Sequence, residues 1–149
     1  MRFIAGTPAI PDDLIKDVAE GHAVFLCGAG VSMRAGMPLF KELTEQIYAD
    51  IGETPQNEAA EEEALKRGEY DRALRSLERR TRLPKAPSRV RVATTKLLTP
   101  APDLVVPDHL NLLRLSRDPE GRVRILTTNF DPLFEHAAHA DGHALLRPR

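Results

Sequence analysis

Ala23-Val24-Phe25-Leu26-Cys27 is a continuous apolar run that stops at Gly28-Ala29-Gly30. A short run of this kind bounded by glycines suits a strand buried on both faces, as in a parallel sheet. Such a strand must lead to a crossover and a partner strand, so this one segment narrows the fold more than any other. Val123-Arg124-Ile125-Leu126-Thr127-Thr128 is the second strand of this type.

Helical periodicity fills the rest. Pro11-Asp12-Asp13 opens a helix through Leu14, Ile15, Val18 and Ala19, with its acidic residues at the positive end of the dipole and Gly21 as the stop. Phe40 to Ile51 places Leu43, Ile47 and Ile51 on one face. Residues 54–82 read as two amphipathic helices broken near Gly68, with Leu65, Tyr70, Ala73, Leu74 and Leu77 as the buried stripe and a solvated charged face. Ser88 opens a helix through Val90, Ala93, Leu97 and Leu98. After the connector TPAPDLVVPD, Asp108 is placed to cap a leucine-rich helix that carries His109, read as structural. Asp118 to Gly121 forms a turn; Asp131 caps a last helix with Pro132 at its first position.

The order strand, helices, strand, helix predicts an α/β fold with a Rossmann-like parallel sheet, a single domain over residues 1–149 and a helical insertion at about 54–100. Two strands are few for a doubly wound sheet, so the expectation is a sheet incomplete at the C-terminus.

Composition sets bounds. A hydrophobic fraction of 42% and a charged fraction of 29% are those of a soluble domain. A net charge of −1 gives no global attraction for nucleic acid or anionic lipid. The single cysteine, Cys27, excludes an internal disulfide and a cysteine-rich zinc site, and inside a strand it reads as a small buried hydrophobe. The start of the chain lacks a long apolar run, so neither a leader nor a membrane helix is read and the expected location is cytoplasmic. No histidine–carboxylate spacing matches a metal site.

Two turns carry chemistry. Gly28-Ala29-Gly30 follows the first strand directly, where glycine lets a phosphate approach the backbone and the next helix start offers N–H groups. Ser32 adds a hydroxyl. Met33 stands where the dehydrogenase fingerprint needs glycine, and no G-K-[ST] follows, which removes both common nucleotide loops. A lone G-x-G also reads as a plain tight turn. Thr127-Thr128-Asn129-Phe130-Asp131 ends the second strand, and ligands of open α/β sheets bind at the carboxyl ends of strands. Asn129 offers a donor and an acceptor and also reads as a turn residue; Asp131 reads as a helix cap, an acceptor, or both.

Together these motifs resemble the sirtuin-like (SIR2-type) family, in particular its bacterial NAD-consuming defence branch. Gly28-Ala29-Gly30-Val31-Ser32 is similar to the family's G-A-G-x-S loop, Gly36-Met37-Pro38-Leu39-Phe40 to its G-x-P-x-F loop, and Thr127-Thr128-Asn129-Phe130-Asp131 to its T-x-N-x-D turn. The resemblance implies that Gly28, Ala29, Gly30 and Ser32 contact the pyrophosphate of NAD. It implies that Pro38 and Phe40 belong to a mobile cofactor loop, with Phe40 over the nicotinamide ribose. It also implies that Asn129 and Asp131 border the nicotinamide pocket, with Asn129 important for glycosidic cleavage. NAD is then a consumed substrate, and water is the expected acceptor. Leu39 and Lys41 replace the acidic residue and arginine of the lysine deacylases, which argues against deacylation. The family's histidine in a His-Gly context is absent after Asn129. His136 and His139 fall on a helix, His143 is the one loop candidate for a base, and the expectation is a chain cut before the true histidine. The alternatives are a non-catalytic module that binds NAD or ADP-ribose or self-associates, and an inactive fragment.

Overall fold

In the computed structural model, residue 6 and residues 8–142 are described. The chain is mixed α/β and mostly helical, with one small parallel sheet. Backbone contacts divide it into two compact units: Gly36–Pro102, and the described residues on either side of that span.

The flanking unit holds the sheet. Helix α1 (Asp12–Ala19) opens on Asp12 and Asp13 as the dipole favours. It ends in a Schellman arrangement: Gly21 N–H donates to Val18 O at 3.2 Å, His22 N–H to Asp17 O at 2.8 Å, and Gly21 has φ +74°. Strand β1 (Phe25–Cys27) pairs in parallel with β2 (Ile125–Thr127), in the register Phe25↔Ile125, Leu26↔Leu126, Cys27↔Thr127. Both strands are shorter than the apolar runs that announce them. They are also not buried on both faces: the cross-strand pair Leu26 and Leu126 is 75% and 62% exposed, while Cys27 is buried. A two-stranded ribbon with an exposed leucine face replaces the covered parallel sheet that the run of apolar residues predicts, because no further described strand or helix layer covers that face.

A four-residue helix α2 (Gly30–Met33) follows β1 directly. Helix α7 (Pro107–Leu115) starts one residue before the expected cap: Val106 is the N-cap, Pro107 the first helical residue, and Asp108 lies in the first turn. Asp118 closes the turn before β2, its carboxylate accepting from the Glu120 and Arg122 N–H groups at 3.1 and 2.8 Å. Helix α8 (Leu133–Ala140) has Pro132 at the N-cap and not at the first helical position; the Asp131 carboxylate still caps it, accepting from Leu133 N–H at 3.2 Å.

The other unit, Gly36–Pro102, is helical. Helix α3 (Phe40–Ile51) turns Leu43, Ile47, Tyr48 and Ile51 into a core completed by Leu77 of α5 (Tyr70–Arg80) and by Val90, Ala93 and Leu98 of α6 (Arg89–Leu98). Each fully buried aliphatic side chain here contributes about 1.5–3 kcal/mol. Helix α4 (Ala59–Lys66) stops at Gly68, φ +74°, where Glu69 N–H donates to Ala64 O at 2.8 Å. The break between two amphipathic helices therefore falls where the sequence marks it. Ser88 caps α6 by accepting from Arg91 N–H at 3.2 Å.

Glu61 departs from the expected solvated acidic run. It is fully buried on α4, accepting from Tyr48 Oη–H at 2.8 Å and from Arg80 Nε–H at 2.9 Å. Arg80 also donates to Glu53 at 2.6 Å and to the Thr54 carbonyl at 3.2 Å. Burial, and after it the Glu61 carboxylate, push the Tyr48 phenol well above its ordinary range.

Candidate functional site

The parallel pairing of β1 and β2 sets the Gly28 turn and the Asn129 turn side by side at the carboxyl ends of the strands. Thr128 N–H donates to Cys27 O at 3.1 Å and extends the ladder into the turns. The Thr127 hydroxyl then accepts from Asn129 N–H at 3.1 Å, which bends the chain out of the strand. On the other side, Val31 N–H donates to Gly28 O and Ser32 N–H to Ala29 O, each at 3.1 Å, and this winds the chain straight into α2.

Neither Gly28 nor Gly30 has the positive φ that would demand glycine. A Cβ on Gly30 would meet nothing within 4 Å, and one on Gly28 only Thr128 Oγ1 at 3.8 Å. The fold itself therefore does not require glycine here, and the loop backbone faces open space.

The turns are joined by side chains. Asn129 Nδ2–H donates to Ser32 Oγ at 2.9 Å, and Ser32 Oγ lies 3.1 Å from His109 Nε2. Ser32 and His109 are each 1% exposed. His109 comes from α7, and its ring meets Phe134 of α8 edge-on with centroids 4.8 Å apart. Burial pushes the His109 pKa down, against the opposing pull of Asp131 and Asp108, and so favours the neutral imidazole. A neutral ring with its proton on Nδ1 accepts the Ser32 hydroxyl proton at Nε2 and leaves the Ser32 lone pairs for Asn129. Two buried polar atoms, Asn129 Oδ1 and His109 Nδ1, have no hydrogen-bond partner among the described residues.

The sequence points to Gly28, Ala29, Gly30, Ser32, Asn129 and Asp131, and the structure brings these residues to one end of the sheet. Asp131 does its capping work on α8. His109, which the sequence alone marks as structural, is the third member of the polar chain. No local pattern could reveal this, because the link to Ser32 spans 77 residues of sequence.

Pro38 and Phe40 belong to the helical unit. Phe40 is the first residue of α3 and not part of a loop; its ring lies edge-on to Tyr70 with centroids 5.6 Å apart. Leu39 N–H donates to the Glu42 carboxylate at 3.0 Å, which steadies this helix start. His136 donates from Nε2 to Leu104 O at 2.7 Å and so ties α8 to the connector. His143 lies outside the described residues. Among the described residues no cluster of three or more histidine, cysteine or carboxylate side chains is set to hold a metal, and no helix is long and apolar enough to cross a membrane.

No family model matches the chain, and no solved structure matches it. It is 40% identical over 138 residues to the uncharacterized protein y4cA of Sinorhizobium fredii (strain NBRC 101917 / NGR234). That similarity takes in 92% of this chain and 11% of the relative, so the chain spans only a small part of the length of the curated protein it matches.

Proposed function

We propose that this chain carries the nucleotide-binding part of a sirtuin-like, NAD-cleaving protein of the bacterial defence type, built on a Rossmann-like sheet. The observation that carries this reading is the hydrogen bond from Asn129 to Ser32, which couples the two motif turns at the carboxyl ends of parallel strands. The site residues fit the ligand on two counts. The Gly28–Gly30 backbone is open to an anion, and the buried Asn129 Oδ1 is an acceptor in need of a donor. The backbone of Gly28, Ala29 and Gly30 holds the pyrophosphate, Ser32 positions Asn129 through its buried hydroxyl, and Asn129 and Asp131 border the nicotinamide pocket.

The reaction is hydrolysis of the N-glycosidic bond: the bond from ribose C1′ to nicotinamide breaks, a bond from C1′ to water oxygen forms, and nicotinamide, ADP-ribose and a proton leave. Asn129 orients the water or the ribose, a positioning contribution. His109 acts as a positioning residue through Ser32. Calorimetric titration with NAD and with ADP-ribose, alongside NAD consumption by the wild type and by Asn129→Ala, tests the reading. Binding that Asn129→Ala weakens supports it, and failure to bind either ligand overturns it.

One observation favours a second reading, binding without turnover. His109, the histidine of this polar chain, is buried, bonded to Ser32 and disfavoured as a cation, so it does not reach substrate as a base. Tight binding with background-level NAD loss in both proteins selects this reading.

A further inference from the structure

The whole-chain charge of −1 averages over a strong segregation. Between Arg72 and Arg91 the chain carries eight arginines and lysines against one carboxylate, Glu78. Most arginines of the helical unit are matched: Arg67 by Glu63, Arg72 by Glu69, Arg80 and Arg89 by Glu53, and Arg91 by Glu78. Arg75, Arg79 and Arg82 form no ion pair among the described residues.

These unmatched charges are not scattered. A cleft of about 410 Å³ between the end of α5 and the start of α6 is lined by Glu78, Arg79, Arg82, Ala86, Ser88 and Arg91. Three guanidinium groups there face a single carboxylate. The Ser88 hydroxyl, and after it Arg91 and Arg82, hold Glu78 below the ordinary carboxylate range, so it is ionised and already engaged. The cleft keeps a net positive charge. Arg75 lies one helical turn before Arg79, about 6 Å along the axis, and carries the positive surface out of the cleft along α5. Arginine forks suit phosphate oxygens bidentately. A row of cations at such intervals suits a linear polyanion better than a single anion. The lining has no aromatic ring to stack a base and no apolar pocket to seat a peptide side chain.

We infer that the α5–α6 cleft, through Arg79, Arg82 and Arg91 and extended by Arg75, is a binding surface for the phosphodiester backbone of nucleic acid, engaged without regard to sequence. It is independent of the Ser32–Asn129 site and stands or falls separately.

The test is fluorescence anisotropy of a labelled mixed-sequence oligonucleotide with the full chain across a salt series. The wild type binds with an affinity that falls steeply with salt, each phosphate contact adding about 0.9 to the log–log slope. Replacing the three cleft arginines together, Arg79→Gln, Arg82→Gln and Arg91→Gln, weakens binding roughly tenfold or more and lowers the slope by about 3. Lys16→Gln, Lys41→Gln and Lys66→Gln, an equal loss of charge elsewhere, leave both nearly unchanged. Equal effects of the two triple variants overturn the inference, as does tighter binding of polyglutamate than of the oligonucleotide, which assigns the cleft to an acidic protein. Hydrogen exchange of the wild type with and without oligonucleotide needs no variant to fold. Protection over residues 72–91 supports the assignment, and protection confined elsewhere overturns it.

Discussion

Asn129 and Ser32, 97 residues apart in the chain, meet through a 2.9 Å hydrogen bond from the asparagine amide to the serine hydroxyl. The same hydroxyl reaches His109 Nε2 at 3.1 Å, so one small buried side chain engages one polar atom of each of two larger ones. Removing a partner from buried polar groups costs about 1–3 kcal/mol. Ser32→Ala therefore destabilises the chain by about 2 kcal/mol in urea unfolding. Ser32→Ala combined with Asn129→Ala costs less than the sum of the two, since both remove the same bond. Strict additivity would show that the bond is not formed in solution.

The neutral His109 gives stability a pH dependence. Its folded pKa lies below the ordinary 6.5 because of burial. As pH falls through that ordinary value, the unfolded chain takes up a proton that the folded ring resists, so the unfolded state binds more protons and stability falls. The contribution is fully present above the unfolded pKa and is lost toward the folded one. Urea midpoints at about pH 7.5 and about pH 5.5 should fall more for the wild type than for His109→Gln, which cannot titrate. An identical slope in the two proteins assigns the acid sensitivity elsewhere.

Two glycines separate structure from binding. Gly21 is held at φ +74°, and a Cβ there would lie 2.5 Å from Asp118 Cβ. Gly21→Ala thus costs about 2 kcal/mol or more, from the left-handed backbone and the clash together. Gly30→Ala meets no atom, so its stability changes by less than about 1 kcal/mol. Under the proposed function, Gly30→Ala still weakens NAD binding, because the new methyl occupies the approach to the loop. Thermal unfolding and calorimetry on the two variants check both halves.

The buried carboxylate of the helical unit is a third sensitive point. Glu61→Ala strands the Tyr48 hydroxyl and takes from Arg80 a carboxylate it grips through two nitrogens, at 2.9 and 3.2 Å. The expected loss is about 3 kcal/mol in urea unfolding. Glu53→Ala leaves the contacts of Glu61 with Tyr48 and Arg80 intact and costs about 1 kcal/mol.

Leu26 and Leu126 test the sheet. Both are largely exposed, so Leu26→Thr costs less than about 1 kcal/mol, against about 2–5 kcal/mol for Leu133→Ala in the fully buried start of α8. A large loss from Leu26→Thr would mean that this face is covered in solution.

Local chemistry is what made much of the chain legible. Gly21 and Gly68 mark helix ends because only glycine takes positive φ without strain, and both ends lie where the sequence puts them. The apolar spacing of α3 yields its bounds from Phe40 to Ile51. The two strands and their turns were readable because apolar runs that end at Gly28 and at Asn129 have few other uses.

Tertiary structure alone decided the rest. Glu61 sits in an acidic run, and nothing in that run distinguishes the one carboxylate that a tyrosine and an arginine from other helices hydrogen-bond. His109 joined the site because α7 packs beside α2, a relationship that no periodicity encodes. Burial of the strands depends on how many layers surround them, so an apolar run announces a strand but not which of its faces is covered. The sequence by itself determined where the chain turns and which residues stand at the carboxyl ends of the strands. Only the three-dimensional structure decided which polar groups meet there, because a hydrogen bond across 77 or 97 residues depends on packing and not on neighbours in the chain.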